Sequence, residues 1–177
     1  FQGRQAPLAR IADTLNAEKD GMLAVLAPAG GGKSALMAEA VRQARERYPQ
    51  ARIIERYLGI TTNSSDLTAL LRNLVAILRI EYPPPSPHAA YESHREGAPP
   101  SQAVSEEIPH ELPPLIVAFR DGLNRVTAEK PLLLFFDALD QLTSGGHPAD
   151  LNWLSVQLPA HVGLVVSAAL PAEADAN

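Results

Sequence analysis

Between a short apolar run and an amphipathic stretch, the chain places Pro28-Ala29-Gly30-Gly31-Gly32-Lys33-Ser34. With Ala27 ahead of it, the segment satisfies the spacing G/A-x-x-x-x-G-K-S/T. The chemistry of a polyphosphate accounts for each residue type. Consecutive backbone N–H groups must come within hydrogen-bond reach of the anion; glycines remove the side chains that would intervene and permit positive φ. A helix begun near Ser34 directs its N-terminal N–H groups and partial positive charge at the same point. Lys33 adds a full charge at the β/γ-phosphates, and the Ser34 hydroxyl is a ligand for Mg²⁺. The expected phosphate-binding set is therefore Pro28, Ala29, Gly30, Gly31, Gly32, Lys33, Ser34 and Ala35.

A phosphate cradle hydrolyses nothing by itself; Mg²⁺ needs a carboxylate at the end of a neighbouring strand. "LLLFFD" supplies Asp137 after five apolar residues, as a metal partner acting through water. Asp140 follows three residues later. It has two readings: a group that orients or deprotonates the attacking water, or a helix cap or solvated loop acid. Gln141 is a weaker candidate for polarising water. Ser167, the polar residue at the end of the last apolar run, reads either as a sensor of the γ-phosphate or as a plain buried serine.

The elements that must carry these residues follow from periodicity. Residues 6–17 have helical spacing through Leu8, Ile11 and Leu15. Residues 21–27, "GMLAVLA", read as a buried strand. Residues 34–48 form a helix with Leu36, Met37, Ala40, Val41, Ala44 and Tyr48 on one face, stopped by Pro49. Residues 51–59 are a second strand. Residues 64–80 are the clearest amphipathic helix, lined by Leu67, Leu70, Leu71, Leu74, Val75 and Leu78 and capped by Ser65 or Asp66. Residues 81–114 hold most of the prolines and read as a largely irregular insertion. Residues 115–128 return to helix, with Ile116, Phe119, Leu123 and Val126 inward. Residues 131–142 and 161–170 are strands apolar at nearly every position, which favours a parallel sheet covered on both faces. Strands alternating with helices predict a three-layer α/β domain with right-handed crossovers.

Composition excludes several classes. The 177 residues are 46% hydrophobic and 20% charged, enough for one core. A net charge of -5 argues against a nucleic-acid partner. There is no cysteine, hence no disulfide or thiolate metal site, which suits a cytoplasmic setting. No apolar run is long enough for a membrane span, and the N-terminus lacks the apolar core of a signal peptide. The arginines Arg42, Arg45, Arg47, Arg52 and Arg56 interleave with Glu39, Glu46 and Glu55 and read as a solvated surface. His88, His94 and His110 show no ligand spacing, and Trp153 reads as a packing anchor.

Four stretches together resemble the signal-transducing (STAND) class of P-loop NTPases, which includes NACHT proteins. "FQGRQAPLARI" resembles that class's opening F-x-G-R-E-x-x-L element, and Phe1-Gln2-Gly3 is read as native chain, not as the scar of a cleaved tag. "APAGGGKSAL" resembles its Walker A, and "LLLFFDALDQL" its D-A-L-D-x-L form of Walker B. "RYLGITTNSSDLTALLRNLVAIL" is similar to a stretch that follows the second strand in NACHT-like members. The resemblance implies an additional-strand P-loop core with strand order 2-3-4-1, the last strand lying between the Walker A and Walker B strands. It implies ATP or ADP with Mg²⁺ as cofactors, and places Gly3 and Arg4 near the adenine end of the nucleotide. It further implies helical and winged-helix domains and sensor repeats after Asn177, so that residues 1–177 are a fragment, and nucleotide-dependent self-association. The chain departs from the class at Gln5 and Gln141, where acids are usual, and in lacking an arginine at the end of the last strand; each departure argues for slow hydrolysis. Two functions stay open: a slowly hydrolysing nucleotide switch, or an ADP-holding scaffold or oligomerisation module with little turnover. A metabolic kinase is disfavoured, since no acceptor site or lid is recognisable.

Overall fold

A computed structural model describes residues 4–15, 21–85, 107–154 and 157–170. Four parallel strands form the central sheet: β1 (Gly21–Ala27), β2 (Arg52–Tyr57), β3 (Leu132–Asp137) and β6 (Val162–Ala169). Their spatial order is β1-β6-β3-β2, so the last strand in sequence lies between the first and the Walker B strand, as expected. A small antiparallel ribbon, β4 (Thr143–Ser144) with β5 (His147–Pro148), turns through Gly145 and Gly146, both at positive φ.

Helices α1 (Gln5–Thr14) and α2 (Lys33–Arg47) cover one face of the sheet; α3 (Leu67–Glu81) and α4 (Leu112–Leu123) cover the other. The strands explain the division, because successive side chains point to opposite faces. Leu133, Phe135 and Val165 pack with Leu8, Ile11, Leu36, Met37 and Val41. Leu132, Leu134, Phe136, Leu164 and Val166 pack with Leu71, Leu74, Leu78, Leu115 and Phe119. Strand β3 is buried at every position for that reason. Trp153, 1% exposed, packs its indole against Phe119 and Phe136 at centroid distances of 5.8 and 6.1 Å.

Helix ends follow local chemistry. Asp66 caps α3 by accepting a hydrogen bond from the Ala69 N–H at 2.7 Å, and Pro83 to Pro85 stand just beyond its C-cap. Helix α2 ends at Arg47, ahead of Pro49.

Three details differ from expectation. Helix α4 starts at Leu112, inside the stretch read as irregular insertion, because Pro113 and Pro114 occupy its first turn, where their missing N–H groups would have had no helical partner. It ends at Leu123, so Val126 is buried from the following turn; Leu115 takes the central inward position and Ile116 is only half-buried. Strand β1 is an edge strand and is not sandwiched: Met22 and Leu26 are 45% and 56% exposed, because α3 and α4 cover the neighbouring strands and not this one. Of the proline-rich stretch, residues 86–106 lie outside the described residues, His88 and His94 among them. Among the described residues, no helix is long and apolar enough to cross a membrane.

Candidate functional site

All four main strands are parallel, so their C-terminal ends share one edge of the sheet. The glycine turn leaves β1 at this edge and Asp137 ends β3 there, with one strand between them, about 10 Å apart at ordinary strand spacing.

The turn has the backbone its residues predict. Gly30 and Gly32 both have φ of +72°, a region that side chains rarely adopt. At Gly31 a Cβ would sit 2.9 Å from the Pro28 carbonyl oxygen, which already accepts the Gly31 N–H at 3.1 Å. Helix α2 then begins at Lys33 with no side chain capping its N-terminus and no acid in its first turn. Among the described residues, no side chain caps its leading N–H groups in competition with an anion. Lys33 folds back on the turn, donating through Nζ to the carbonyl oxygens of Ala27 (2.9 Å) and Pro28 (3.1 Å). Ser34 and Ala35 lie in the first turn of α2.

Arg4 occupies the carbonyl side of the same turn. Its guanidinium donates to the Gly32 carbonyl oxygen at 2.8 Å and to that of Gly31. A Cβ on Gly32 would meet the guanidinium at 2.6 Å and displace it from the turn, while the positive φ is what calls for glycine here. The side chain expected beside the adenine therefore binds the phosphate loop itself. Gly3 lies outside the described residues.

The Walker B end is tied to β6. Asp137 is 5% exposed and Ser167 is fully buried. The Ser167 hydroxyl donates to Asp137 Oδ1 and accepts the Ala138 N–H at 3.0 Å. Ala138 has φ of +59°, a left-handed conformation uncommon for a residue with a Cβ. Ser167 thus spends its hydroxyl inside the sheet and does not present it to a γ-phosphate. Asp140 stands nearer the open edge: its Oδ1 accepts the Ala169 N–H at 2.9 Å and its Oδ2 a hydrogen bond from Gln141 Nε2 at 2.7 Å. Burial raises the Asp140 pKa, but the hydrogen bonds from Gln141 and Ala169, with the Lys33 charge, outweigh it and hold the carboxyl below its ordinary value. The sequence brings Lys33, Ser34, Asp137 and Asp140 to one edge; Ser167 is buried, the second of its two readings, while its bond to Asp137 and the engagement of Asp140 with β6 were not anticipated. The alternation of Gly163, Val165 and Ser167 on β6 carried the signal for that burial, since Val165 packs on the α2 face.

The donor chemistry suits Mg²⁺. Ser34 and Asp137 offer hard oxygens, and no group of three or more His, Cys, Asp or Glu able to cage a metal occurs among the described residues. Mg²⁺ characteristically keeps waters and binds through one or two protein oxygens plus phosphates. A small apolar recess lined by Leu15, Tyr48, Leu133 and Val162 lies at the opposite end of the strands and shares no residue with this site.

Comparison with known proteins agrees with this geometry. A family model described as AAA ATPase domain matches residues 1–166. The human NACHT and WD repeat domain-containing protein 2 is 29% identical over 143 residues, covering 77% of this chain and 7% of that protein. Its mouse counterpart is 27% identical over 143 residues, with coverage of 77% and 7%. The human NACHT domain- and WD repeat-containing protein 1 is 28% identical over 174 residues, covering 95% of this chain and 10% of that protein. The chain thus spans only a tenth or less of the length of these relatives. With a glycine cradle at the end of β1, an acid at the end of β3 and an inserted β6 between them, the chain belongs to the AAA ATPase domain family and is a nucleotide-binding, NACHT-like P-loop NTPase domain.

Proposed function

We propose that this domain is an ATP-binding, slowly hydrolysing switch within a multidomain signal-transduction NTPase. The observation that carries the reading is the uncapped start of α2 behind a left-handed glycine turn, on the same sheet edge as Asp137. In this reading the amides of residues 32–35 hold the β- and γ-phosphates, with Lys33 leaving the Ala27 and Pro28 carbonyls to reach them, while the Gly31 N–H stays on the Pro28 carbonyl oxygen. Ser34 would hold Mg²⁺, with Asp137 acting through water, and the ion would supply charge neutralisation for the nucleotide's phosphates. Asp140 orients the attacking water. ATP and ADP states then differ in how this core meets neighbouring domains. The relatives named for NACHT and WD repeats support repeats of that kind as partners; the helical and winged-helix domains, nucleotide-dependent self-association and cytoplasmic setting that complete the proposal rest on the resemblance to the STAND class.

A second reading has its own observation. Both Asp140 oxygens are engaged and its pKa is lowered, which makes it a weak base. A domain that holds ADP structurally, with little turnover, fits that engagement.

Calorimetric titration with ATP and with ADP, each with Mg²⁺, tests binding, with Lys33→Ala as control. The expected result is a dissociation constant in the micromolar range, about -6 to -8 kcal/mol, lost in the variant. Wild-type protein that is folded and binds neither nucleotide would sink the switch. Turnover that survives in Asp140→Ala rules out the role given to Asp140. Absence of turnover in the wild type, with tight ADP binding, selects the scaffold.

A further inference from the structure

We propose that Ser167 is a positioning residue that holds the Asp137 carboxylate in the orientation a hydrated Mg²⁺ requires. This inference rests on the nucleotide–metal reading of the site given above.

Three observations carry it. The first is burial. Ser167 is fully buried and Asp137 is 5% exposed, and these are the buried polar side chains among the described residues. Every other buried side chain in β3 and β6 is apolar. A hydroxyl in such surroundings is costly unless paired, and this one is paired specifically with the acid. The second is the direction of the hydrogen bonds. A serine hydroxyl has one proton to donate. The Ala138 N–H, 3.0 Å from Ser167 Oγ, occupies an acceptor position and leaves that proton for Asp137 Oδ1. The third is the backbone that arranges it. Phe136 and Val166 are partners in the parallel register of β3 and β6, and Asp137 and Ser167 are the residues that follow each. Ala138, in its left-handed conformation, turns the chain immediately after Asp137 and brings its N–H onto Ser167.

The chain Ala138 N–H to Ser167 Oγ to Asp137 Oδ1 fixes the rotation of the carboxylate about its own stem. Oδ2 is then left to accept from a water of the cation. Outer partners of metal-binding carboxylates characteristically act in this way, and their loss weakens metal affinity without removing a ligand.

The test measures the affinity of the whole chain for ATP by calorimetry, once with Mg²⁺ and once with a chelator. The ratio of the two constants is the metal coupling. Ser167→Ala is expected to lower that coupling by about 10- to 100-fold, with affinity in chelator unchanged. Asp137→Ala is expected to lower the coupling at least as far, leaving the share due to Ser34, and Ser167→Ala added to it to cause no further loss, because the serine acts only through that acid. A merely structural serine would lower the thermal midpoint in both backgrounds and leave the coupling intact. If Ser167→Ala does not fold, Ser167→Cys keeps the volume with a weaker donor and is read identically. Wild-type coupling in a folded Ser167 variant overturns the proposal, as does a further loss in the double variant. If the wild type binds ATP equally with and without Mg²⁺, the metal reading itself fails and this inference falls with it.

Discussion

At the scale of single residues, the phosphate turn is held from both sides. Lys33 covers the Ala27 and Pro28 carbonyls, while Arg4 covers those of Gly31 and Gly32. A guanidinium suits the second task because its planar fork reaches two carbonyl oxygens at once, leaving the amides of the turn to point away. Arg4→Ala is accordingly expected to weaken nucleotide affinity about tenfold, near 1.4 kcal/mol. Arg4→Lys should recover only part of this, because an ammonium is a point charge. Titration of the three proteins with ATP checks both statements; unchanged affinity in Arg4→Ala would show that the turn keeps its shape unaided. Asp140→Asn separates the two readings of that acid. An amide oxygen still accepts the Ala169 N–H, so the thermal midpoint should hold while turnover falls, whereas a residue that only latches β6 would leave turnover unaltered.

At the scale of elements, α3 and α4 pack closely enough to leave no room for a side chain at Gly122. A Cβ there would lie 2.8 Å from Leu78 Cδ1 and 3.0 Å from Leu78 Cβ. Gly122→Val should force the helices apart and cost about 1–3 kcal/mol, as overpacking does. Phe119→Ala, on the same helix and beside Trp153, should cost about 3–5 kcal/mol through the cavity it leaves. Denaturant unfolding reads both. Neither should change nucleotide affinity, since these helices cover the sheet face away from α2; a matching loss of affinity would mean that the α3–α4 layer helps shape the site.

At the scale of the whole molecule, the ends of distant elements meet in a charged cluster below the sheet. Glu81, the last residue of α3, pairs with Lys130 at 2.5 Å and Arg52 at 3.0 Å. Tyr82 beside it donates to the Pro131 carbonyl oxygen at 3.4 Å, and its own carbonyl oxygen accepts from Arg125 at 2.9 Å. Burial, then the Glu81 charge, pushes the Tyr82 pKa from 10.0 up to about 12. The folded state therefore holds this proton more tightly than the unfolded chain does. Its contribution is complete below pH 10.0 and is lost as pH rises through about 12. Unfolding free energies measured across this interval should decline, and Tyr82→Phe should make the decline shallower. An identical slope in the variant would assign the alkaline loss to other groups.

The elements were legible where local pattern and tertiary environment agree. The apolar stripes of α2 and α3 and the unbroken apolar run of β3 predicted burial correctly, because helices and central strands bury the residues their periods align. The backbone of the glycine turn was legible for a similar reason: positive φ is a demand on residue type that a sequence displays directly. The N-terminus of α4 was hidden, since two prolines read as a break until the helix is seen to begin beneath them. The exposure of Met22 and Leu26 was hidden too, because edge position belongs to strand order and not to the strand's own residues. The sequence by itself determined the class of fold and the backbone of the turn at the end of β1. Only the tertiary structure decided that Ser167 meets Asp137, that Asp140 holds the end of β6, and that Arg4 grips the turn. Each of these contacts joins residues at least 27 positions apart, and such meetings are set by strand register and helix docking, which no local spacing encodes.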